Sequence, residues 1–593
     1  MLDTCGRMCT VVTMYIDIVP NRGSPPAILL REGWRQGGKI CKRTVANLSG
    51  WPSQQIDALR LLLKGEPMVS ARQAFSVRRS LPHGHVEAIL QAVDRLGVDR
   101  LIASRPSRQR SLVLGMIVQR LIDPASKLAC TRSWHNTTLA QELQIQDAQV
   151  DELYQALDWL FARQQRIEKK LAARHLSEGC LALYDVTSSY YEGRCCTLAR
   201  RGHNRDGKKN TLSIVYGLLT DSQGRPVSVQ VYPGNTGDPT TVPDQVDKLR
   251  GSFGLGRVVL VGDRGMLTQT RIEQLRAYPQ LGWISALRSP AIARLMAAEA
   301  IDRSLFDQQD IAEITSADFP GERLVVCFNP LLAEDRRRTR AELLEATDKQ
   351  LENIAAAVAR RKGKPLSKDE IGIKAGKVVN RYKVGKHFTL MIEDGRFEWR
   401  RKEASITAEA ALDGFYVVRT SESAQDLTRD DVVRSYKLLG QVEQGFRTLK
   451  GLDIRVRPIF HRVEDRVRAH IFLCMLAYYV EWHLRRAWSP LLFDDETLAQ
   501  DRWQRDPVRP AEASASAQCK KYARQTAEGL EVQSFPTLLA NLGTRCRNTC
   551  SVRGLADGKA VGPGESTFDC LTEPTPLQAK ALALVEMLPV GAQ

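Results

Sequence analysis

Between residues 181 and 287 the chain carries five short apolar runs whose connections change character partway, and that change constrains the fold more than any other feature. LALYDVTS (Leu181–Ser188), TLSIVYGLLT (Thr211–Thr220) and PVSVQVYPG (Pro226–Gly234) come first, the last two separated by the turn-forming Asp221-Ser222-Gln223-Gly224. Runs joined this way predict three antiparallel strands in a meander. RVVLVGD (Arg257–Asp263) and GWISAL (Gly282–Leu287) follow, with helical stretches predicted at Thr241–Arg250 and Thr268–Arg276. Hairpins first and strand–helix alternation afterwards predict a mixed-sheet α/β domain.

This domain spans residues 179–288 and resumes over residues 414–490, with a strand at Gly414–Ser421 and a helix from Asp430 to about Lys450. The intervening residues 289–413 read as an α+β insertion. They hold a charged helix (Arg340–Lys362), a Lys/Gly stretch (Lys362–Lys386) and two β runs (His387–Ile392, Arg396–Arg400). For Lys362–Lys377 a solvated charged linker is the competing reading. Residues 1–80 alternate β-like runs (Met14–Val19, Ala27–Leu30) with basic turns and read as a small appended element; Met14 is as good a start as Met1. In residues 81–178 apolar positions recur at three and four (Leu112, Leu114, Ile117, Leu121; Leu153, Leu157, Leu160), the mark of amphipathic helices. Arg105, Arg108 and Arg110 precede one of them, leaving a plain bundle and a helix-turn-helix reader both open. Residues 491–593 show no periodicity that assigns them a role.

Charge narrows the partners. Against 68 Asp and Glu stand 85 Lys and Arg, a net +17. Over Arg336–Lys386 alone there are 15 basic and 6 acidic residues, a net +9. Such an excess favours a polyanion, most commonly nucleic acid. With 43% hydrophobic and 26% charged residues, disordered, collagen-like and coiled-coil chains are excluded. The 13 cysteines are odd in number and scattered, which points to a reducing cytoplasm. Cys5/Cys9 and Cys546/Cys550 lack histidines at finger spacing, so no structural zinc is expected. The longest apolar run, Ile471–Val480, is about half the length needed to cross a bilayer and reads as a core helix; no export signal is seen, and no membrane partner is expected.

Three carboxylates stand out. Asp185 sits inside the otherwise apolar first strand, where a charge must face solvent or a functional cleft. Asp263 ends the fourth strand before Arg264 and Gly265, at the kind of strand terminus where ligand sites of α/β sheets lie. Glu443 lies in SYKLLGQVEQGFRTLK with Tyr436 and Lys450 seven residues to either side. At about 100° per residue the three share one helical face, with Arg447 one turn beyond the glutamate. Each has a bland alternative: a capping or solvated aspartate for the first two, and an exposed Glu–Arg pair for the third.

Taken in order, YDVTSSYYEG, YPGNTGD (Tyr232–Asp238), GDRGM, a long insertion and Tyr-x₂-Leu-x₃-Glu-x₆-Lys resemble the DDE transposases of bacterial insertion sequences. The similarity is to the insertion-sequence-four superfamily, the branch with an insertion domain before the final glutamate, and it covers about Met14 to Leu484. The resemblance implies an RNase H-like, retroviral-integrase-like catalytic core interrupted by the insertion domain, with a helical N-terminal region. It implies Asp185, Asp263 and Glu443 as ligands of two Mg²⁺ ions, for which Mn²⁺ can substitute. The implied chemistry is cleavage of 3′ phosphodiesters at the terminal inverted repeats and joining of the 3′-OH ends to target DNA by a dimer. Tyr436 and Lys450 match positions that contact DNA in the family, whereas Leu439 stands where the family has arginine, and Arg447 is the substitute. Arg264 and Trp399, the latter as a base-stacking residue of the insertion, complete the expected DNA contacts. Two rival readings are a catalytically inactive DNA-binding protein or repressor derived from a transposase, and a related nuclease that cuts without joining.

Overall fold

The computed structural model describes residues 12–36, 38–66, 75–208, 210–306, 309–552 and 567–591. Met1, Cys5 and Cys9 lie outside them. The chain divides into two compact units, one of Met1–Leu81 with Cys546–Thr572, the other of Pro82–Arg545 with Glu573–Gln593. Residues 491–593, read from sequence as one region, are shared between the two.

In the smaller unit β1 (Thr13–Val19), β2 (Ala27–Gln36) and β3 (Lys39–Asn47) form an antiparallel sheet, followed by a helix at Ser53–Leu63. β4 (Phe75–Pro82) belongs to a second sheet with two strands from late in the chain, Cys546–Val552 and Thr567–Leu571. Those late strands carry polar and cysteine residues in place of a β-branched run, so they lack the pattern that marks a strand in sequence.

The larger unit is built on one mixed sheet of eight strands. β5 (Cys180–Tyr190), β6 (Ser213–Thr220) and β7 (Pro226–Pro233) form the antiparallel meander. β8 (Val258–Gly262) runs parallel to β5, and β9 (Leu281–Ala286) parallel to β8. Every residue of β6, β8 and β9 is buried, as expected of strands covered on both faces. Gly217 of β6 leaves no room for a Cβ because the Tyr184 ring lies against it. That close approach seats the buried Tyr184 beside Asp185.

Beyond β9 the sheet continues where sequence predicts only an insertion. β10 (Ile311–Ile314) and β11 (Arg323–Phe328) pair antiparallel with one another, and β11 pairs with β14 (Phe415–Thr420), which in turn pairs with β9. The full order is β10-β11-β14-β9-β8-β5-β6-β7. Residues 289–413 are thus split. Their first part extends the sheet, while the helices Pro330–Ala359 and Lys368–Tyr382 pack with the hairpin β12 (Phe388–Glu393) and β13 (Arg396–Arg401) around a core of their own that includes Leu351, Ile371 and Phe397. The charged-linker reading of Lys362–Lys377 stops at Ser367, which caps the second helix in a capping box with Glu370.

Two of the three arginines singled out in the helical region are engaged within it, while Arg105 is exposed. Helix Arg108–Ile122 buries every residue from Leu112 to Leu121, whereas its first turn, Arg108–Ser111, is not buried. Arg108 pairs with Asp147 at 2.8 Å and Glu152 at 3.2 Å, and Arg110 with Asp99 at 3.3 Å. These side chains brace a bundle.

Helix Glu464–Trp488 runs through the core against β7 and helices Arg108–Ile122 and Val150–Phe161. Among the described residues no helix is long and apolar enough to cross a membrane. Within it Glu481 is fully buried, accepts one bond from Arg485 Nε at 2.6 Å, and has no partner for Oε2 among the described residues. Burial pushes its carboxyl from the usual 4.5 up to about 7, against the pull of Arg485. The native state therefore holds this proton more tightly than the unfolded chain. Its contribution to stability is complete below about pH 4.5 and is lost as pH rises through 7. Glu481→Gln is expected to remove about 3 kcal/mol of the stability lost between pH 5 and 8, read by urea unfolding. An unchanged difference between the two pH values would refute it.

Candidate active site

Parallel pairing places two carboxylates side by side. β5 and β8 are in register with Tyr184 opposite Gly262, so the next pair along the two chains is Asp185 and Asp263. The chain turns immediately after β8: Gly265 N–H donates to Asp263 Oδ2 at 3.2 Å and Met266 N–H to the Asp263 carbonyl at 2.9 Å. Asp185 Oδ1 accepts from Val186 N–H at 2.7 Å. Burial, joined by the charge of Asp263, pushes the Asp185 carboxyl from 3.8 up to about 7, although the Val186 bond opposes the shift. Arg205 pulls the other way without offsetting burial.

Glu443 arrives from another direction. The helix expected from Asp430 to Lys450 is interrupted at Leu438, giving Arg429–Lys437 and Leu439–Lys450. Despite the interruption, Tyr436, Glu443, Arg447 and Lys450 line one cleft with Asp185 and Asp263, about 800 Å³ in volume. The Glu443 carboxylate is exposed and lies 3.5 Å from Arg447. Among the described residues no three His, Cys, Asp or Glu side chains stand close enough together to hold one ion. The aspartates are gathered, and the glutamate is on the cleft wall without closing on them.

The expected DNA contacts fall in different places. Tyr436 Oη donates to Asp263 Oδ1 at 3.3 Å, and burial together with Asp263 raises its pKa. Lys450 is 11% exposed and donates to Asp206 at 2.9 Å. Burial lowers the Lys450 pKa and Asp206 opposes that shift. Arg264 is exposed and borders a cavity of about 170 Å³ that Tyr436 also lines. Leu439, in the position of the family arginine, is buried against the core. Trp399 is not among the residues lining the cleft. Its ring stacks on Phe397 at 5.6 Å and its Nε1–H donates to Asp348 at 2.8 Å, and the side chain stays partly exposed.

Two acids that sequence reasoning passed over complete the wall. Asp206, 1% exposed, accepts from Lys450, Arg457 and, at 2.9 Å, Tyr190 N–H. Asp238, the last residue of YPGNTGD, holds Arg205 through Oδ1 at 2.6 Å and Oδ2 at 2.5 Å. Asp238 lay within a quoted motif, whereas Asp206 in HNRDGKK looks like any polar turn.

The sheet thus presents two neighbouring aspartates, one within β5 and one just past the end of β8, and the helix bearing Glu443 borders the same cleft. Residues 177–480 match the transposase DDE domain family. The chain belongs to the DDE transposases. Residues 16–73 further match the N-terminal domain of the IS1634 family transposases. The family named there is IS1634 and not the insertion-sequence-four superfamily suggested by the motif order; the two matches share the DDE transposase class. No curated protein matches the chain. Among solved structures, a piggyBac transposase synaptic complex with hairpin DNA is similar at 10% identity, covering 77% of each chain with a TM-score of 0.32, a likeness too distant to carry an argument.

Proposed function

We propose that the chain is the transposase of an insertion sequence that binds the terminal inverted repeats of its element as a dimer, hydrolyses the 3′ phosphodiesters and joins the freed 3′-OH ends to target DNA. The observation that carries this is the pairing of Asp185 with Asp263, with Glu443 on the same cleft, inside the segment matching the DDE domain. The strand order β7-β6-β5-β8-β9, antiparallel for the first three and parallel for the last two, supports an RNase H-like core. Membership of the insertion-sequence-four superfamily rests on motif order alone.

The aspartate pair suits hard divalent cations. Its donors are carboxylate oxygens, and the elevated Asp185 pKa marks a place where added positive charge is favourable. Asp185, Asp263 and a Glu443 carboxylate swung off Arg447 would hold two Mg²⁺ or Mn²⁺ ions. Bound there, such ions acidify a water and stabilise the oxyanion leaving from phosphorus. Tyr436 holds the outer side of Asp263 through its hydroxyl. Arg447, released when Glu443 turns inward, is free to meet a phosphate oxygen. Lys450 keeps the helix end fixed through Asp206 and supplies positive potential beneath the strand being cut.

Glu443→Gln tests this reading directly. On a duplex carrying the element ends, the variant is expected to bind as the parent does and to lose Mg²⁺-dependent nicking and joining by at least about 100-fold. Undiminished cleavage would sink the assignment. Binding without any nicking by the unaltered protein would favour the repressor reading, and nicking without strand-transfer products the simple nuclease.

A further inference from the structure

A second cavity, about 520 Å³, adjoins the catalytic cleft and shares Arg457 with it. Besides Arg457, its lining includes Arg120, Lys127, Arg455, Arg462 and Arg466, and no aspartate or glutamate. Most of these cations whose partners are known are already engaged. Arg466 pairs with Asp158 at 2.9 Å, Arg457 with Asp206, and Arg120 donates to the Ala125 carbonyl at 3.2 Å. Lys127 differs. It is 4% exposed, yet no hydrogen bond or ion pair to its ammonium is found among the described residues. Burial, then the nearby Arg120, pulls its pKa down to about 8. The two histidines of the lining, His461 and His470, are lowered too by burial and by these cations, so neither adds charge near neutral pH.

Lys127 Nζ is not among the fully enclosed polar atoms left without a partner, so it reaches the open space of the cavity, where a largely desolvated ammonium without a counter-ion is costly. A cavity that gathers cations around it without a carboxylate is arranged for an anion brought from outside. The exposed rim arginines Arg455 and Arg462 suit an oxyanion with several acceptor oxygens. We infer that this cavity binds a backbone phosphate of the DNA strand that runs out of the catalytic cleft past Arg457, with Lys127 as the buried contact. The inference rests on the transposase reading for the source of the phosphate, but not for the anion site itself.

Two arms separate these. In the first, inorganic phosphate titrated at fixed ionic strength is expected to raise the melting temperature of the parent protein and to have a smaller effect on Lys127→Met. Equal shifts in both would overturn the anion site. In the second, binding of an end-bearing duplex is followed from 50 to 200 mM salt. Lys127→Met is expected to weaken binding about tenfold. It is also expected to flatten the log K against log salt slope by about 1, irrespective of DNA sequence. An unchanged slope beside a positive phosphate arm would overturn DNA as the source and leave a free phosphate-bearing ligand. Failure of the parent to bind the duplex would sink the transposase reading and the DNA source together, the phosphate arm still deciding the site. A merely structural lysine would melt lower on substitution, whereas removal of an unpaired buried charge is expected to leave the ligand-free melting temperature equal or higher. Should Lys127→Met fail to fold, Arg462→Gln at the rim carries the same slope test.

Discussion

Asp185→Asn is expected to abolish Mg²⁺-dependent nicking and, in the same preparation, to raise the melting temperature of the metal-free protein. Both effects have one origin. The half-buried Asp185 carboxylate stands beside Asp263 on the neighbouring strand, and burial with that second charge disfavours its ionised form. Asparagine keeps an oxygen to accept the Val186 N–H while removing the repulsion. The gain should be on the order of 1–3 °C for a unit of this size. With EDTA the variant should melt above the parent; with millimolar Mg²⁺ the parent should gain stability and the variant much less, because ligand binding to the native state is what stabilises it. Nicking should fall by at least about 100-fold. A variant that melts lower in EDTA would show that Asp185 is held by favourable contacts and is not strained by its neighbour.

Asp206→Asn should act in the opposite sense on stability. Asp206 is almost fully buried and balances Lys450 and Arg457 while tying Tyr190 N–H of β5. Neutralising it leaves two cations facing one another in a recessed wall, and breaking a buried pair of this kind costs about 3 kcal/mol. The same change removes a negative charge from the DNA-facing cleft, so affinity for non-specific duplex at low salt should rise, with a salt slope steeper by about 1. Nicking should fall nonetheless, since Lys450 anchors the end of the helix bearing Glu443. Chemical unfolding, binding at several salt concentrations and a nicking assay measure the three effects. Unchanged stability would show that the Asp206 pairs are loose surface contacts.

Two parts of this site that could be read beforehand share a physical signature. Asp185 interrupts an apolar run and Asp263 ends one, positions where a charge contradicts its surroundings unless a cleft is there, whereas exposed Glu443 was marked only by its helical spacing from Tyr436 and Lys450. Asp206 carries no such contradiction, because its neighbours Arg205, Gly207 and Lys208 are those of a solvated turn, and only packing of that loop against β5 and Lys450 buries it. The meander and the parallel strands were legible from runs of valine, isoleucine and leucine bounded by turns. β10 and β11 were not: β10 is only four residues long, and β11, though an apolar run like β8 and β9, finds β14 only after the whole helical insertion has intervened. The Phe397 stack and the Asp348 bond of Trp399 were equally out of reach, because they are properties of its neighbours in space.

The pairing of β4 with strands from Cys546–Val552 and Thr567–Leu571 has a consequence for how the protein comes into being. The opening segment cannot finish its sheet while the ribosome is still working through the catalytic core. Nor is the larger unit complete any sooner, for helix Pro576–Glu586 receives the Trp488 indole N–H at the Ala581 carbonyl and packs on helices Gly84–Arg95 and Glu464–Trp488. A stop codon falling between about Cys546 and Leu571 would therefore take structure from both units at once, far from any residue proposed to touch the chemistry. Such a truncation would undo the fold of both units while leaving every residue of the cleft in the sequence.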